Sequence, residues 1–394
     1  MYGKPWQRML LVLGGVLGLA ALYLGFWPLP VAPVVWQVPG QAEYSGGFAV
    51  NSRLASLQTL PLGTEHGPEH VVAREGWLYI AVDSGAILRM RPDGTGREVV
   101  VRTGGRPLGF DFDVTGALII ADPLVGSHGG LLRYLPGQPT FEWLTDSVAG
   151  SPIAYADAVA VAPDGRYYFT DASQRFGAKA NGGTFEASIL DVLEHRCTGR
   201  VLVYEPVARS TAVVVSGLCF ANGLAIAADG QSLYVNETGS YRVWEVPLAT
   251  RAAVATSPPA GMRLLLDNLP GYPDNLMRGA NGRYWVGLVK PRSAFNDATA
   301  AKPWVRAIAL RLPRAWWPVP PAYGHVFAFT VEAGTQARAE ARAEARAEAR
   351  VVANLQDPSG AYPSTTGITE VDGRLYVQSL HAAGLGYLPT PAGL

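Results

Sequence analysis

One short pattern recurs six times along this 394-residue chain and restricts its fold more than any other feature. Each copy is a two-residue turn followed by a strand-like run that ends in a small or polar residue. The copies are EGWLYIAVD (75–83), TGALIIAD (115–122), DGRYYFTD (164–171), DGQSLYVNE (229–237), NGRYWVGL (281–288) and DGRLYVQSL (372–380). A chain that repeats one turn-and-strand unit six times is predicted to build six similar small sheets.

The surroundings of these copies identify the architecture. Most copies are followed by a second strand-like stretch, such as GRVLVYEPV or YRVWEVPL, and the 45 Gly and 30 Pro residues favour many short strands separated by turns. Spacings of roughly 40 to 90 residues between copies fit blades of about four strands around a central channel. A sandwich would not need the same unit six times, and a helical solenoid would show a 3.6-residue periodicity that is missing here. The sequence therefore predicts an all-β protein, a six-bladed β-propeller over residues 51–394.

The N-terminus has a different composition. Lys4 and Arg8 precede the uncharged run MLLVLGGVLGLAALYLGFW at 9–27, which is near the ~20 residues that span a bilayer. The basic residues predict a cytoplasmic tail at 1–8, a single signal-anchor helix at 9–27, and a propeller on the periplasmic, lumenal or extracellular side. A cleaved signal peptide is the alternative, but the run is long for one and no A-x-A site closes it. Residues 28–50 form a Pro-rich linker, whose first part, PLPVAPVV at 28–35, is expected to be stiff and extended.

Charged residues exclude one class of partner and mark one insertion. The formal net charge is zero, with 32 basic and 32 acidic residues, and no basic stripe with interleaved aromatic residues is present, so a nucleic-acid partner is not expected. The segment 336–350, QARAEARAEARAEAR, has no apolar face and is interpreted as a solvated low-complexity insertion between blades 5 and 6.

The two cysteines, Cys197 and Cys219, lie 22 residues apart and would face an oxidising compartment in this topology. A disulfide and a pair of separate buried thiols are both compatible with the sequence. Their spacing is not that of a zinc site.

Oxygen-bearing side chains recur just before the repeated units. In a propeller, these positions begin the innermost strand of each blade and converge on one axis. They supply Glu69, Asp157, Asn222, Asp274 and Asn275. Carboxylate and amide oxygens suit Ca²⁺, with Mg²⁺ or Mn²⁺ as substitutes, better than they suit Zn²⁺. The alternative is that Asp, Asn and Gly stand here because they favour turns, but their recurrence at equivalent places of different repeats favours a shared metal site.

These stretches also carry a resemblance to a known family. GPEH, GRPLGFDFD, FANGLAI, LPGYPDNLMRGANGRYWVGL and TTGITEVDGRLYVQSL resemble the strictosidine synthase-like family, in the branch that includes the adipocyte plasma membrane-associated protein. The resemblance covers about residues 60–390. It implies a six-bladed propeller related to the gluconolactonases and paraoxonases, with a short cytoplasmic tail and one membrane anchor.

The resemblance assigns roles residue by residue. Glu69, Asn222, Asp274 and Asn275 fall on positions that bind the central Ca²⁺ in those hydrolases. Asp157 stands where the family usually has Asn, which keeps a ligand oxygen and adds a charge.

The catalytic candidates come from two sources. The resemblance makes Asp122 the candidate general base, since it matches a catalytic histidine of the paraoxonases. Among the histidines near the motifs, which are His66, His70, His128 and His381, His70 is preferred as a proton shuttle because it directly follows Glu69.

We expect a calcium-dependent hydrolase of the arylesterase or lactonase type, acting on a small-molecule ester or lactone. Substrate choice is expected to depend on two lid-like stretches, 176–195 and 289–306. One alternative is a non-catalytic, membrane-anchored binding or scaffold protein. The other is an amine–aldehyde condensing enzyme like strictosidine synthase itself, but the glutamate that such an enzyme needs near the last blade corresponds here to Thr366, which cannot do that acid–base work.

Overall fold

Six antiparallel four-stranded sheets succeed one another along the chain and form the blades of a β-propeller. The computed structural model describes residues 5–40, 44–248, 262–331 and 349–394. The predicted all-β six-bladed architecture is confirmed. Most of the segment 336–350, for which a low-complexity insertion was predicted, lies outside the described residues, as do residues 1–4 of the predicted tail.

The strands of each blade follow one another in sequence, from the propeller axis outward. Blade 1 has His70–Arg74, Trp77–Ala81, Ala86–Met90 and Glu98–Arg102; blade 2 has Gly109–Phe112, Leu118–Asp122, Gly130–Tyr134 and Glu142–Thr145; blade 3 has Ala156–Val161, Tyr167–Asp171, Gly199–Glu205 and Ser210–Leu218. Blade 4 has Ala221–Ile226, Ser232–Glu237, Arg242–Pro247 and Arg263–Leu266; blade 5 has Gly271–Arg278, Arg283–Pro291, Gly324–Val331 and Ala349–Asp357; blade 6 has Thr365–Val371, Arg374–Ser379 and Gly384–Pro389. A two-stranded sheet, Ser147–Val148 with Ser151–Pro152, lies between blades 2 and 3.

The ring is closed by a strand from the other end of the chain. Gln58–Pro61 is the outermost strand of blade 6 and pairs antiparallel with Gly384–Pro389. The core lies between neighbouring blades, where apolar side chains of one sheet pack against the next, as Ala81 and Phe110 do between blades 1 and 2. Closure by a strand that is distant in sequence stabilises the whole ring, because it pairs the free edge of the last sheet.

The repeated sequence unit is the tight turn between the first two strands of a blade. In three copies, Glu75-Gly76, Asn281-Gly282 and Asp372-Gly373, both residues have a positive φ between 49° and 73°. Two successive positive φ values are typical of the type I′ hairpin turn, which Asn-Gly and Asp-Gly favour. The turn chemistry thus explains why the unit was recognisable in the sequence.

In the part of the chain that the structure describes, four α-helices lie outside the blades: α1 (Pro5–Phe26), α2 (Thr184–Glu194), α3 (Ala294–Ala298) and α4 (Pro303–Leu310). Helix α1 is long and apolar enough to span a membrane, and none of its residues is buried. Helix α2 connects the second and third strands of blade 3, and helices α3 and α4 make the equivalent connection in blade 5. They form from the two stretches that were predicted to be lids.

The Pro-rich segment after α1 packs against these connections. Val31 and Trp36 are buried, and Trp36 stacks on His195 with ring centroids 4.1 Å apart. The backbone N–H of Val34 donates to the carbonyl of Glu194 at 2.9 Å, and that of Trp36 donates to the carbonyl of Ala300 at 3.2 Å. The segment therefore holds α1 close to the propeller.

Cys197 and Cys219 are joined by a disulfide, so the structure adopts the first of the two alternatives that the sequence left open. The bond ties the end of the α2 connection to the start of blade 4. His195 Nε2 lies 3.5 Å from Cys219 Sγ. These three residues do not form a metal site because both sulfur atoms are bonded to each other.

Candidate functional site at the propeller axis

Four of the predicted ligands meet at the axis. Glu69 directly precedes the first strand of blade 1, whereas Asp157, Asn222 and Asp274 lie near the starts of the first strands of blades 3, 4 and 5. Each is at most 6% exposed, and all four line one cavity. The side chains are far apart in sequence, and the ring of blades brings them together.

Local backbone irregularities coincide with these positions. The pairing of first and second strands shifts register between Ala156 and Val159, between Ala221 and Leu224, and between Pro273 and Leu276. Blade 6 has the same shift between Thr365 and Ile368. A β-bulge inserts one extra residue into a strand and re-aims its side chains. The bulges therefore explain how regular strands turn Asp157, Asn222 and Asp274 toward the axis.

Close approach of the inner strands explains the Gly of the ANG motif. A Cβ on Gly223 would collide with the backbone of Asp274, Asn275 and Leu276 in the next blade. Any larger residue would push blades 4 and 5 apart beside two of the axial side chains.

Electrostatics at the axis is dominated by three buried acids. Burial raises the pKa of Glu69 to about 7, although the neighbouring Arg106 guanidinium acts in the opposite direction. Burial raises the pKa of Asp157 well above its ordinary range, and the charge of Glu69 raises it further. The pKa of Asp274 is raised by burial first, then by Glu69 and Asp157. Three such groups cannot all ionise at low cost unless a positive charge lies among them.

Arg106 supplies part of that positive charge. Its Nη2 lies 3.4 Å from Glu69 Oε2, and its side chain is 17% exposed. Its buried Nε has no hydrogen-bond partner. One guanidinium faces three carboxyl groups, so the charges of the described axial residues do not balance when all three are ionised.

The chemistry of these donors fits a divalent cation. The side chain of Asn222 donates a hydrogen bond to Asp274, whereas its buried Oδ1 has no partner. Three carboxylates and one amide oxygen without a partner are the hard ligands that Ca²⁺, Mg²⁺ or Mn²⁺ prefer.

The axial carboxylates are nevertheless not a tight, preformed cage. Among the described residues, three ligand atoms of His, Cys, Asp or Glu lie within 4.8 Å of one another only at His195, Cys197 and Cys219. Binding of one ion by all three axial carboxylates therefore requires side-chain rotation.

The cavity above this cluster has a volume of about 140 Å³. Its walls are largely apolar and come from the blade connections: Phe185, Ile189, Val192 and Leu193 of α2, together with Leu108, Phe220, Val289 and the segment 317–320. An apolar cavity that ends on a few polar groups is the usual form of a small-molecule site. The two stretches predicted to be lids both contribute to it.

One histidine lines the cavity. His381 is exposed, and its ring contacts Phe185 edge-on with centroids 5.9 Å apart. Its pKa is lowered by partial burial, then by the positive charges of Arg106 and Lys290. The imidazole is therefore neutral at pH 7, as a proton acceptor has to be.

Comparison with known proteins identifies the family. Residues 46–90 match the profile "Strictosidine synthase-like, N-terminal", and residues 157–246 match the profile "Strictosidine synthase". The Arabidopsis thaliana protein strictosidine synthase-like 10 is 31% identical over 281 residues, which cover 66% of this chain and 70% of the relative. The chain belongs to the strictosidine synthase-like family. The adipocyte plasma membrane-associated protein of Salmo salar is 29% identical over 333 residues, 79% of this chain and 76% of that protein.

Solved structures similar to this strictosidine synthase-like protein support the fold. A gluconolactonase from Xanthomonas campestris superposes with a TM-score of 0.55 at 17% identity, covering 92% of this chain and 97% of that chain. The calcium-binding protein regucalcin from Agrobacterium tumefaciens superposes with a TM-score of 0.51 at 13% identity, covering 84% and 92%. At such identities the likeness concerns the propeller fold.

Asp122 does not line the axial cavity of this strictosidine synthase-like chain. Its carboxylate is fully buried and accepts hydrogen bonds from Thr103 Oγ1 at 2.6 Å and from the backbone N–H groups of Arg106 and Leu124 at 2.8 Å and Val125 at 3.0 Å. The two oxygens of this carboxylate thus accept four hydrogen bonds from the protein itself. This geometry argues against the expected role as general base and makes Asp122 a residue that fixes the loop carrying Arg106.

His70 and Asn275 do not line the cavity either. His70 Nε2 lies 3.0 Å from the Phe110 carbonyl in the gap between blades 1 and 2, and burial lowers the pKa of His70 to about 4. Asn275 Nδ2 donates to the Glu69 carbonyl at 2.8 Å, as does the Thr366 hydroxyl. In this arrangement His70 does not face the cavity, and the Asn275 amide nitrogen holds the backbone of Glu69. The role of Asn275 as a metal ligand stays a prediction.

Replacement of Asp122 distinguishes a structural role of this residue from a role as general base. We expect Asp122→Ala to lower the free energy of unfolding by about 2–3 kcal/mol, because four buried donors lose their acceptor. Asp122→Asn keeps the shape and should lose less. Denaturant unfolding of the full chain in detergent measures both. A stable Asp122→Asn variant without any catalytic activity would contradict the structural role and restore that of a base.

Arg106 was not predicted from the sequence, and His381 was named among four histidines of which His70 was preferred. Arg106 stands in an ordinary Gly-Arg-Pro turn, and His381 follows the last repeated unit as one of several loop histidines. Only the positions of the blades show that both side chains face the cavity.

Proposed function

We propose that this protein is a divalent-cation-dependent hydrolase of small esters or lactones, anchored to a membrane by α1, with Ca²⁺ as the preferred ion. The observation that carries the proposal is an apolar cavity that ends on Glu69, Asp157, Asn222 and Asp274. These four residues would hold the ion. The same propeller fold occurs in a gluconolactonase and in a calcium-binding regucalcin, so the fold is compatible with this chemistry.

The protein's own groups have defined tasks in this reaction. A cation held by Glu69, Asp157, Asn222 and Asp274 would supply Lewis-acid polarisation of the substrate carbonyl and stabilise negative charge on its oxygen. Ca²⁺ lowers the pKa of water little, so a separate base is required. His381 is the described cavity-lining group that is neutral at pH 7 and reachable from solvent; it accepts a proton from the attacking water. The water oxygen bonds to the carbonyl carbon, the bond to the alkoxy oxygen breaks, and that oxygen takes the proton.

The apolar walls select the substrate. Phe185, Ile189 and Phe220 can bury an acyl or aryl group while the carbonyl faces the axial cluster. Burial of each CH₂ group stabilises the complex by roughly 0.8 kcal/mol. A hydrophobic ester or lactone should therefore bind better than a sugar lactone of similar size.

Hydrolysis of phenyl acetate and a panel of lactones by the full chain in detergent tests the proposal. Activity that is lost with a chelator and restored by Ca²⁺ is expected. A folded, metal-binding protein without activity on any of these substrates would overturn the hydrolase assignment.

A second candidate is a binding or scaffold protein in which the axial groups are structural. The Arg106–Glu69 ion pair and the spread of the carboxylates favour it, because a protein that needs no ion can partly neutralise its acids in this way. Retained thermal stability with no change on chelation would support it. A condensing enzyme is disfavoured because the Thr366 hydroxyl is engaged with the Glu69 carbonyl.

The assignment of His381 as base predicts a changed pH profile. His381→Gln should lower kcat about 100-fold with little change in KM, because proton transfer is lost and binding is kept. In the wild type, activity should fall as the pH drops through the lowered pKa of His381, and the variant should lack this acid limb. His128→Gln is the matched control because His128 lies outside the cavity. An unchanged acid limb in His381→Gln would contradict the assignment.

A further inference from the structure

The connection between the second and third strands of blade 5, part of which lines the cavity, carries large apolar side chains exposed to solvent. Trp304 is 64% exposed, Trp316 is 69% exposed and Val319 is 40% exposed. All three belong to the connection between the second and third strands of blade 5, which also lines the cavity through Trp317 to Pro320. A surface with two exposed tryptophans next to a cavity is unusual for a face that meets only water.

Helix α1 ends at the same connection. The Tyr23 hydroxyl donates to the Arg311 carbonyl at 3.0 Å, and Arg311 Nε donates to the Trp27 carbonyl at 2.7 Å. Leu29 and Val31 pack with the apolar cluster that includes Leu193, Phe220 and Trp317 of the cavity wall. The last turn of the candidate membrane span is thus attached directly to this connection.

Chain length limits how far the propeller can stand from a bilayer that holds α1. The four residues from Trp27 to Val31 can span at most about 14 Å when fully extended. Val31 lies against the cavity wall, so the membrane surface lies within about that distance of this wall. The linker is too short and too firmly packed to turn the opposite face toward the membrane.

We propose that the rim around the cavity, defined by Trp304, Trp316 and Val319, rests in the membrane interface, and that the cavity takes its ligand from the bilayer. Tryptophan suits this position, because its large apolar ring and its N–H favour the boundary between hydrocarbon and water. Uptake of the ligand from the bilayer rests on the proposed function and specifies the substrate. It would be an amphiphilic ester or lactone whose apolar tail enters past α2 while its carbonyl reaches the axial cluster.

Photocrosslinking to lipid tests the docking surface without any assay of activity. The full chain is reconstituted in phosphatidylcholine vesicles with benzoylphenylalanine at position 304 or 316, and in controls at position 114 or 207. Val114 and Val207 are 87% and 95% exposed, in turns at the far ends of blades 2 and 3. Lipid adducts at 304 and 316 should exceed those of the controls at least tenfold.

The outcomes of this experiment are distinct. Equal lipid adducts at the rim and at the controls would overturn the docking surface. Adducts between two copies of the chain in place of lipid adducts would assign the rim to self-association and would also overturn it. If a tryptophan variant fails to fold, the label at position 319 gives the same comparison.

A kinetic arm tests entry from the bilayer. The double variant Trp304→Ser/Trp316→Ser should hydrolyse a long-chain phenyl ester in vesicles at least tenfold more slowly, with the rate for dissolved phenyl acetate unchanged. Equal effects on the two substrates, or none, would exclude entry from the bilayer. Failure of the wild type on both substrates would instead contradict the proposed hydrolase, and the photocrosslinking result would still decide the docking surface.

Discussion

Replacing Asp274 with asparagine should lower kcat/KM for esters and lactones by about 100- to 1,000-fold. The substitution keeps the size of the side chain but removes one of three axial charges, and with it a strong ligand for the cation. The Asp274 carbonyl, which accepts a hydrogen bond from Asn236 Nδ2 at 2.7 Å, is not altered, so the backbone of blade 5 should stay in place.

The matched control is Asp164→Asn. Asp164 lies in the exposed turn between the first two strands of blade 3, where it pairs with Arg166. The same chemical change there should leave kcat/KM within about twofold, since exposed ion pairs contribute little. The cation concentration that restores activity after chelation should rise in Asp274→Asn. Equal activity of the two variants would show that the axial charge is not part of the reaction.

The cation-free protein should become less stable as the pH rises from 5 to 7.5. Glu69 has a pKa of about 7 in the folded protein, against an ordinary 4.5 in the unfolded chain. Between these values the folded protein holds a proton that the unfolded chain has released, so the free energy of unfolding falls with rising pH. Glu69 alone would account for a fall in the free energy of unfolding on the order of 2 kcal/mol over this range. The raised pKa values of Asp157 and Asp274 act in the same direction.

Added Ca²⁺ should reverse this trend. Only ionised carboxylates bind the ion well, so stabilisation by Ca²⁺ should grow from pH 5 to pH 7.5. Unfolding of the full chain in detergent, with chelator or with Ca²⁺ at both pH values, measures the effect. Glu69→Gln should flatten the pH dependence of the chelated protein. Cation-free stability that rises over this range would contradict the electrostatic description of the axis.

The architecture could be predicted because each blade repeats a local signal. Turns such as Asn281-Gly282 require positive φ at two residues, and few residue pairs allow this, so the blades are marked in the sequence. Closure of the ring could not be predicted in this way. Gln58–Pro61 joins blade 6 through pairing with a strand more than 300 residues away, and no local pattern encodes such a partner.

The axial residues could be predicted only in part. Glu69, Asp157, Asn222 and Asp274 were found because they precede or begin equivalent strands. Asn275 is not among the residues that line the cavity, and its Nδ2 donates to the Glu69 carbonyl. Successive side chains of a strand point to opposite faces, and the bulge that decides which one faces the axis is not visible in the sequence.

Residues outside the repeats were still harder to predict from the sequence. Some carboxylates line the cavity, whereas others, such as that of Asp122, are bound by backbone N–H groups of neighbouring loops. Which of the two occurs depends on where those loops place their N–H groups. Arg106 and His381 lie in loops whose directions are set by tertiary packing alone. Sequence therefore located the axis well and its supporting groups poorly.

The central claim is that Glu69, Asp157, Asn222 and Asp274 bind one divalent cation at the base of the cavity. Anomalous diffraction from crystals of the full chain soaked in Mn²⁺ tests it most directly. We predict one strong anomalous peak within bonding distance of these four side chains, with Glu69 turned toward the ion. Crystals in which Mn²⁺ binds elsewhere or not at all, with the Arg106–Glu69 ion pair intact, would contradict it.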